Sequence, residues 1–357
     1  MSARTRVRRA SDLEEQAMEF GLCMVTTRDV NDTLYGFQLA ENHGFSFVGL
    51  WDSPYNYMDI YPFLGIAAMN TKTVTMGPFV TNPLTRHPSV TASAMATVDA
   101  ISDGRAFLGL GRGDSAVKML GWKPAKWKDY EPAVNNMRAW MKGEPVQLEG
   151  APGPVQITWA KREVPIVLSL FGPRGAKLAG KVADIATTEC ADIGSVDWFN
   201  KDVQAAAKEA GRDPVPFEVS ICAYVSNDMA KARDRCRWEP EILTNLIWQL
   251  MRTYGIENLP ESTTRGFEWL AEKEDWWGEH DWSLHGKPDD KHEEMITDEM
   301  VDRFCVLGSP QNCIDKLREL EKIGVSRFCV YLAGLESQEE IKEQIRLWGE
   351  EIIPHFK

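Results

Sequence analysis

Short, almost wholly apolar runs alternate with helical patterns along nearly the whole chain, and this alternation restricts the fold more than any other feature. The runs Glu19–Thr26, Phe45–Trp51, Thr73–Thr81 and Arg105–Leu110 read as strands. Helical patterns follow them at Asn31–His43, Tyr61–Asn70, Pro88–Ile101 and Tyr130–Lys142. The second half repeats the scheme, with strands at Val164–Leu170, Asp184–Thr188, Phe217–Val225 and Ser326–Leu332. Its helices are predicted at Pro173–Val182, Ser195–Ala210 and Ser337–Ile352. Strands that are apolar on both faces are covered on both faces, which means a parallel sheet with helical crossovers. Eight such repeats point to an α/β fold of the closed (β/α)8 TIM-barrel type rather than an open sheet.

At 357 residues and 43% hydrophobic content, the chain suffices for one large barrel. Residues 18–357 read as that single domain and residues 1–17 as an N-terminal extension. The extension carries four arginines within Met1–Arg9, then Ser11-Asp-Leu-Glu-Glu-Gln, which is a capped acidic helix start and not the apolar core of a targeting signal. No window approaches the roughly 18 apolar residues of a membrane span. A net charge of −13 argues against nucleic-acid binding, which needs a basic face. The seven cysteines form no C-x-x-C and sit mostly inside apolar runs, so they read as reduced core thiols of a cytoplasmic protein.

One region breaks the rhythm. Asn227–Val325, between the seventh and eighth strands, holds six of the thirteen tryptophans (Trp238, Trp248, Trp269, Trp276, Trp277, Trp282), concentrated in an insertion over about 227–300. It reads either as a helical surface subdomain or as a lid that walls the active site. The six histidines show no metal-ligand spacing, and His285 and His292 read as parts of a solvated loop. No G-x-S-x-G elbow for a nucleophile is present.

Functional residues of such a barrel sit where its strands end. Strand two ends at Trp51-Asp52-Ser53, where Asp52 either emerges at the mouth or caps the next helix. His87, just after strand three, either touches a ligand or caps a helix. The fourth strand runs into Gly109, Gly111 and Gly113 and ends on Asp114. Bare backbone there allows a large ligand to approach, and the acid is a candidate for proton chemistry. The spacing lacks the G-x-G-x-x-G of a dinucleotide turn. After strand five, Gly172-Pro173-Arg174 reads equally as a phosphate site or as ordinary helix initiation.

Together these motifs resemble the bacterial luciferase-like superfamily, and within it the deazaflavin-dependent branch typified by methylenetetrahydromethanopterin reductase. The resemblance rests on Val80-Thr-Asn-Pro-Leu-Thr-Arg-His-Pro88, on Ile101 to Asp114, and on Gly172-Pro-Arg with Leu178-Ala-Gly-Lys-Val-Ala-Asp184. Val306-Leu-Gly-Ser-Pro310 and Glu351-Ile-Ile-Pro-His-Phe356 extend it to the C-terminus. It implies a homodimeric barrel that binds a flavin or deazaflavin at its C-terminal face. It also implies a non-prolyl cis peptide in a strand-three bulge within Gly77–Val80, expected at Pro78–Phe79.

Carried over residue by residue, the resemblance makes Asp52 and Asp114 the catalytic acids. Pro78, Phe79, Thr81, Asn82, Gly111 and Gly113 would lie along the ring, and Ser169, Gly172, Arg174 and Gly175 on the phosphate side. Ser53 stands where some relatives place a histidine, so imidazole chemistry is not implied. The implied reaction is hydride transfer between the 8-hydroxy-5-deazaflavin coenzyme F420 and a small organic substrate. The alternatives are a monooxygenase using reduced FMN and oxygen, and a non-catalytic flavin-binding protein on the same barrel.

Overall fold

The computed structural model describes residues 17–274, 276, 295–332, 335 and 337–357. The predicted extension and its capped helix start therefore lie outside the described residues, apart from Ala17. So do Trp277, Trp282, His285 and His292.

The apolar runs become β1 (Glu19–Met24), β2 (Phe47–Leu50), β3 (Thr75–Pro78), β4 (Leu108–Leu110), β5 (Ile166–Ser169), β6 (Ile185–Thr188), β7 (Phe217–Val225), β8 (Val306–Gly308) and β9 (Val325–Tyr331). Every pairing between them is parallel. The order β3-β2-β1-β9-β7-β6-β5-β4 places β3 and β4 at the two ends. Isolated bridges Met76–Ala106 and Thr81–Leu110 then join those ends and nearly close an eight-stranded barrel.

The ninth strand, β8, is a departure from the sequence reading. It lies within the Asn227–Val325 stretch and pairs with the last three residues of β7, while the start of β7 pairs with β9. Only three residues long, β8 is too short to show a period.

Crossover helices cover the outside: α1 (Val30–Asn42), α2 (Ile60–Asn70), α3 (Pro88–Ser102), α4 (Ser115–Lys118), α5 (Trp127–Met141), α6 (Pro173–Val182) and α7 (Ile193–Glu209). After β7 come α8 (Met229–Cys236) and α9 (Trp238–Tyr254). Asp29, Asp59, Asp192 and Asp228 cap α1, α2, α7 and α8 by accepting from backbone N–H groups of the first turn. Among the described residues no helix is long and apolar enough to cross a membrane. All seven cysteines are buried and unbridged.

Side chains two apart on a strand share a face, so the barrel interior is built in layers. At its N-terminal end, Glu19, Arg327 and Glu218 stand in register on β1, β9 and β7. Arg327 bonds Glu218 through Nε at 2.9 Å, pairs with Glu19 through Nη1, and lies 4.2 Å over the Phe47 ring. Above this row, three phenylalanines fill the axis. Phe47, Phe79 and Phe107 meet pairwise with ring centroids 6.2–6.5 Å apart.

Each of these phenylalanines, by its ring, Cβ or backbone carbonyl, takes up the space that a glycine leaves on the preceding strand. A Cβ on Gly21 would meet the Phe47 ring at 2.0 Å, one on Gly49 would meet Phe79 Cβ at 2.3 Å, and one on Gly77 would meet Phe107 O at 2.0 Å.

Gly49→Ala should therefore overpack the axis and cost about 1–3 kcal/mol, because Phe79 cannot retreat through the backbone of β3. A lowered urea midpoint with unchanged m-value would show it, and wild-type stability would contradict the interlock.

Candidate functional site

Counting by twos up each strand brings a second interior layer to the C-terminal mouth: Cys23 of β1, Trp51 after β2, Phe79 after β3, Glu189 after β6, Cys222 of β7 and Tyr331 of β9. Tyr331 packs edge-on against both Trp51 (5.4 Å) and Phe79 (6.2 Å), contacts that only side chains facing the axis can make. The Phe79 ring is therefore part of the core, buried under the mouth. The non-prolyl cis peptide joins Phe79 to Val80. It lies inside the expected window, one bond beyond the Pro78–Phe79 bond expected from the resemblance. Pro78 ends β3 in register with Leu50 of β2.

Asp52 does not cap a helix, since Asp59 caps α2. Instead Asp52 is half-buried and its Oδ2 accepts from Thr81 Oγ1 at 2.5 Å, joining the ends of strands two and three. Burial pushes its carboxyl above the ordinary range, while the Thr81 hydrogen bond and the Arg86 charge oppose that rise. Asn82 is also buried, but its Oδ1 accepts from Leu84 N (2.9 Å) and Thr85 N (3.0 Å) and so shapes the turn. His87 caps α3, accepting from Ser89 N at 3.2 Å through Nδ1. Ser53 is buried, 3.2 Å from Ser115 through their hydroxyl oxygens.

The glycines after β4 are bare for a different reason from the one the sequence suggests. A Cβ on Gly109 would meet Pro78 O at 2.2 Å, one on Gly111 Val80 Cγ2 at 3.0 Å, and one on Gly113 Val117 Cγ2 at 2.4 Å. The protein's own strand three and α4 fill that space. Gly113 also needs its positive φ of 104°.

Asp114 begins α4 without capping it, and its carboxylate pairs with Lys118 one turn later. Burial pulls the Lys118 ammonium down to about 8 against the opposing pull of Asp114. Nearby, Glu189 follows Thr188 directly. Burial, reinforced by the negative charge of Asp114, pushes its carboxyl up to about 8. Glu239 of α9 is fully buried and likewise raised, first by burial and then by Glu189; its Oε2 accepts from Cys222 N at 3.3 Å.

On the strand-five side, Ser169 ends β5 and Gly172 precedes α6 with φ at 92°. A Cβ on Gly172 would meet Leu250 Cδ2 of α9 at 2.4 Å, and one on Gly175 would meet Leu170 Cβ at 2.9 Å. Arg174 is exposed in the first turn of α6. Arg112 stands over the Trp127 ring at 4.4 Å and donates through Nε to Ala125 O at 2.7 Å. Burial lowers its pKa, Tyr130 opposes that fall, and the like charge of Arg174 adds to it.

Three side chains here, Lys118, Glu189 and Glu239, lie outside the sequence motifs, and Arg112 lies within the Ile101–Asp114 motif without a role read from it. Among the described tryptophans of the Trp-rich stretch, most pack within it. Trp248 donates to Lys273 O at 3.0 Å, and Trp276 donates to Thr244 Oγ1 at 2.9 Å while packing on Trp269. Trp238 differs, since its ring meets Trp51 edge-on at 6.2 Å beside Asp52. Among the described residues, no three His, Cys, Asp or Glu side chains are grouped to hold a metal ion.

A family model for luciferase-like monooxygenases matches residues 17–327. The methylenetetrahydromethanopterin reductase of Methanolobus tindarius is 30% identical over 345 residues, spanning 94% of this chain and 100% of its own. The same enzyme from Archaeoglobus fulgidus is 29% identical over 353 residues, spanning 95% and 100%. Among solved structures, the coenzyme F420-dependent tetrahydromethanopterin reductase of Methanopyrus kandleri shares the fold with a TM-score of 0.72 at 24% identity, covering 96% of this chain and 100% of its own.

Removing the Thr81 hydroxyl takes away the hydrogen bond that opposes desolvation of Asp52. In Thr81→Val the Asp52 carboxyl should titrate at higher pH than in the wild type, as read from its carbon NMR shift. An unchanged titration would separate the two residues.

Proposed function

The chain belongs to the luciferase-like monooxygenase family, and on that premise we propose that it is an oxidoreductase moving a hydride between coenzyme F420 and a small organic substrate at the C-terminal end of the barrel. One observation carries this reading: Asp52, Asp114 and Glu189 follow the C-terminal ends of β2, β4 and β6 and so gather at one mouth, at which Arg112 also stands after β4 and Arg174 opens α6 after β5. Similarity over most of the chain to an F420-dependent dehydrogenase supports the choice of cofactor, and full-length similarity to methylenetetrahydromethanopterin reductases makes reduction the direction to test first.

The residues fit such a cofactor. Arg112 is fixed by Ala125 O and the Trp127 ring, and Arg174 is exposed in the first turn of α6, so both guanidiniums are available to an anionic group at that helix start. They would hold the phosphate side together with the backbone at Gly172 and Gly175. Thr81 and the peptides beside Val80 and Gly111 would line the ring. When bound, a deazaflavin supplies two-electron hydride chemistry. The protein aligns donor and acceptor over the rigid floor of Phe79 and Tyr331, and keeps water from the reacting atoms with Trp51 and Trp238.

Binding of F420 and of FMN by the purified protein, followed by fluorescence, tests the reading. Tighter binding of F420, with oxygen-independent reduction of a methylene-tetrahydropterin or another small acceptor, is the expected outcome. Preference for FMN with oxygen-dependent turnover would make it a monooxygenase instead. Arg174→Gln should weaken F420 binding about tenfold, the loss of roughly 1.4 kcal/mol expected for a charge-assisted contact at an exposed site, with a smaller dependence on salt.

The family reading also includes a homodimer. The neighbouring helices α2 and α3 leave Ile66, Met69, Val90 and Ile101 exposed, Met69 by 77%, and a second copy would cover this apolar face. Sedimentation should show a dimer that Met69→Glu converts to a monomer. A wild-type monomer would remove the proposal.

A further inference from the structure

The mouth holds a carboxyl whose surroundings differ from those of the two acids that the strand ends advertise. Asp52 is engaged by the Thr81 hydroxyl and faces the Arg86 charge. Asp114 is committed to Lys118. Glu189 stands where the axis-facing row of β6 continues past the strand. Two residues before it, Thr187 faces inward, its Oγ1 lying 2.8 Å from Ser220 Oγ of β7. Period two puts Glu189 on that same inward side.

Its charge is felt on elements all around the mouth. It raises the Cys23 thiol of β1, the Tyr331 phenol of β9 and the Glu239 carboxyl of α9, and the Asp114 charge beside β4 raises Glu189 in turn. Asp114 is itself paired with Lys118. With Thr187 facing inward, Glu189 two residues on stands at the open end of the axis, where its side chain keeps partial access to solvent.

We propose that Glu189 is the acid of this site, giving its proton to the substrate atom that must gain one when a hydride arrives at the neighbouring atom. The inference rests on the oxidoreductase reading above. In the reductive direction the substrate takes two electrons and one hydrogen as hydride from the reduced deazaflavin, and one proton from the Glu189 carboxyl. The substrate π bond breaks, one C–H bond and one heteroatom–H bond form, and the Glu189 carboxylate regains its proton from water. Asp114 takes no proton in this scheme. Paired with Lys118, it adds to the burial that raises Glu189. Two carboxyls with environments that push their affinities apart thus divide the work between acid and charge.

Three measurements test this. The first needs no cofactor: infrared difference spectra at neutral pH should show the carbonyl stretch of a protonated carboxyl group that disappears in Glu189→Gln. Second, F420 binding by wild type and variant, with unchanged circular dichroism, decides whether the cofactor reading holds and whether the variant is folded. Third, single-turnover reduction by the wild type should fall above about pH 8, whereas Glu189→Gln should be about 100-fold slower at neutral pH and lack that alkaline limb.

Asp114→Asn adds a readout that a merely structural role would not move. Loss of the charge that raises Glu189 should shift the alkaline limb to lower pH. Failure of the wild type to bind F420 would overturn the oxidoreductase reading itself, and the inference with it. F420 binding together with an unchanged carboxyl band, an unchanged rate or an unchanged alkaline limb in Glu189→Gln would overturn the inference alone.

Discussion

Steric surrender by glycine organises this barrel. Three consecutive strands each omit a side chain where the next strand inserts a phenylalanine, so β1 to β4 are keyed to one another through Gly21–Phe47, Gly49–Phe79 and Gly77–Phe107. A slip of one residue in any of these pairings would put a ring against a side chain rather than into a gap. The three rings then touch one another and form a plug across the axis. What stands above and below that plug follows from it.

Below lies the Glu19–Arg327–Glu218 row, in which one guanidinium serves two carboxyls and stacks on Phe47. Among the described residues Glu218 Oε1 finds no hydrogen-bond partner, and burial raises its carboxyl against the pull of Arg327. Above lie further acids, Asp52, Glu189 and Glu239, raised first by desolvation. Both ends of the axis therefore hold carboxyls whose charged form burial disfavours, and at the N-terminal end a bonded arginine opposes that rise. Carboxyls so placed store protons and are costly for stability.

Much of the architecture was legible because continuous apolar runs and crossover helices leave few alternatives. Asp52 was legible as one of two possibilities, a mouth acid or a helix cap, and the structure decides it because Asp59 takes the cap of α2. Other features were hidden for physical reasons. β8 is three residues long and gains its pairing from β7, more than eighty residues earlier, so no local pattern announces it. The glycines after β4 looked like a passage for a ligand, yet their emptiness serves Pro78, Val80 and Val117, which only the folded packing reveals. Glu189 sits in the unremarkable phrase Thr188-Glu189-Cys190. Its importance comes from Asp114, seventy-five residues away in sequence, and from Glu239 on a helix after β7. Pairwise electrostatics between distant strands leaves no trace in spacing.

Helix α9 touches the site twice. Near its start Trp238 meets Trp51 and Glu239 reaches Cys222, and near its end Leu250 fills the space over Gly172 at the head of α6. Its seventeen residues form a rod of about 25 Å at 1.5 Å per residue. One element is therefore fixed both beside Asp52 and at the head of α6, the two ends of the cofactor groove proposed above. Under that proposal it is a ruler laid along the mouth, and a ligand would be gauged against its length as much as against the chemistry at either end.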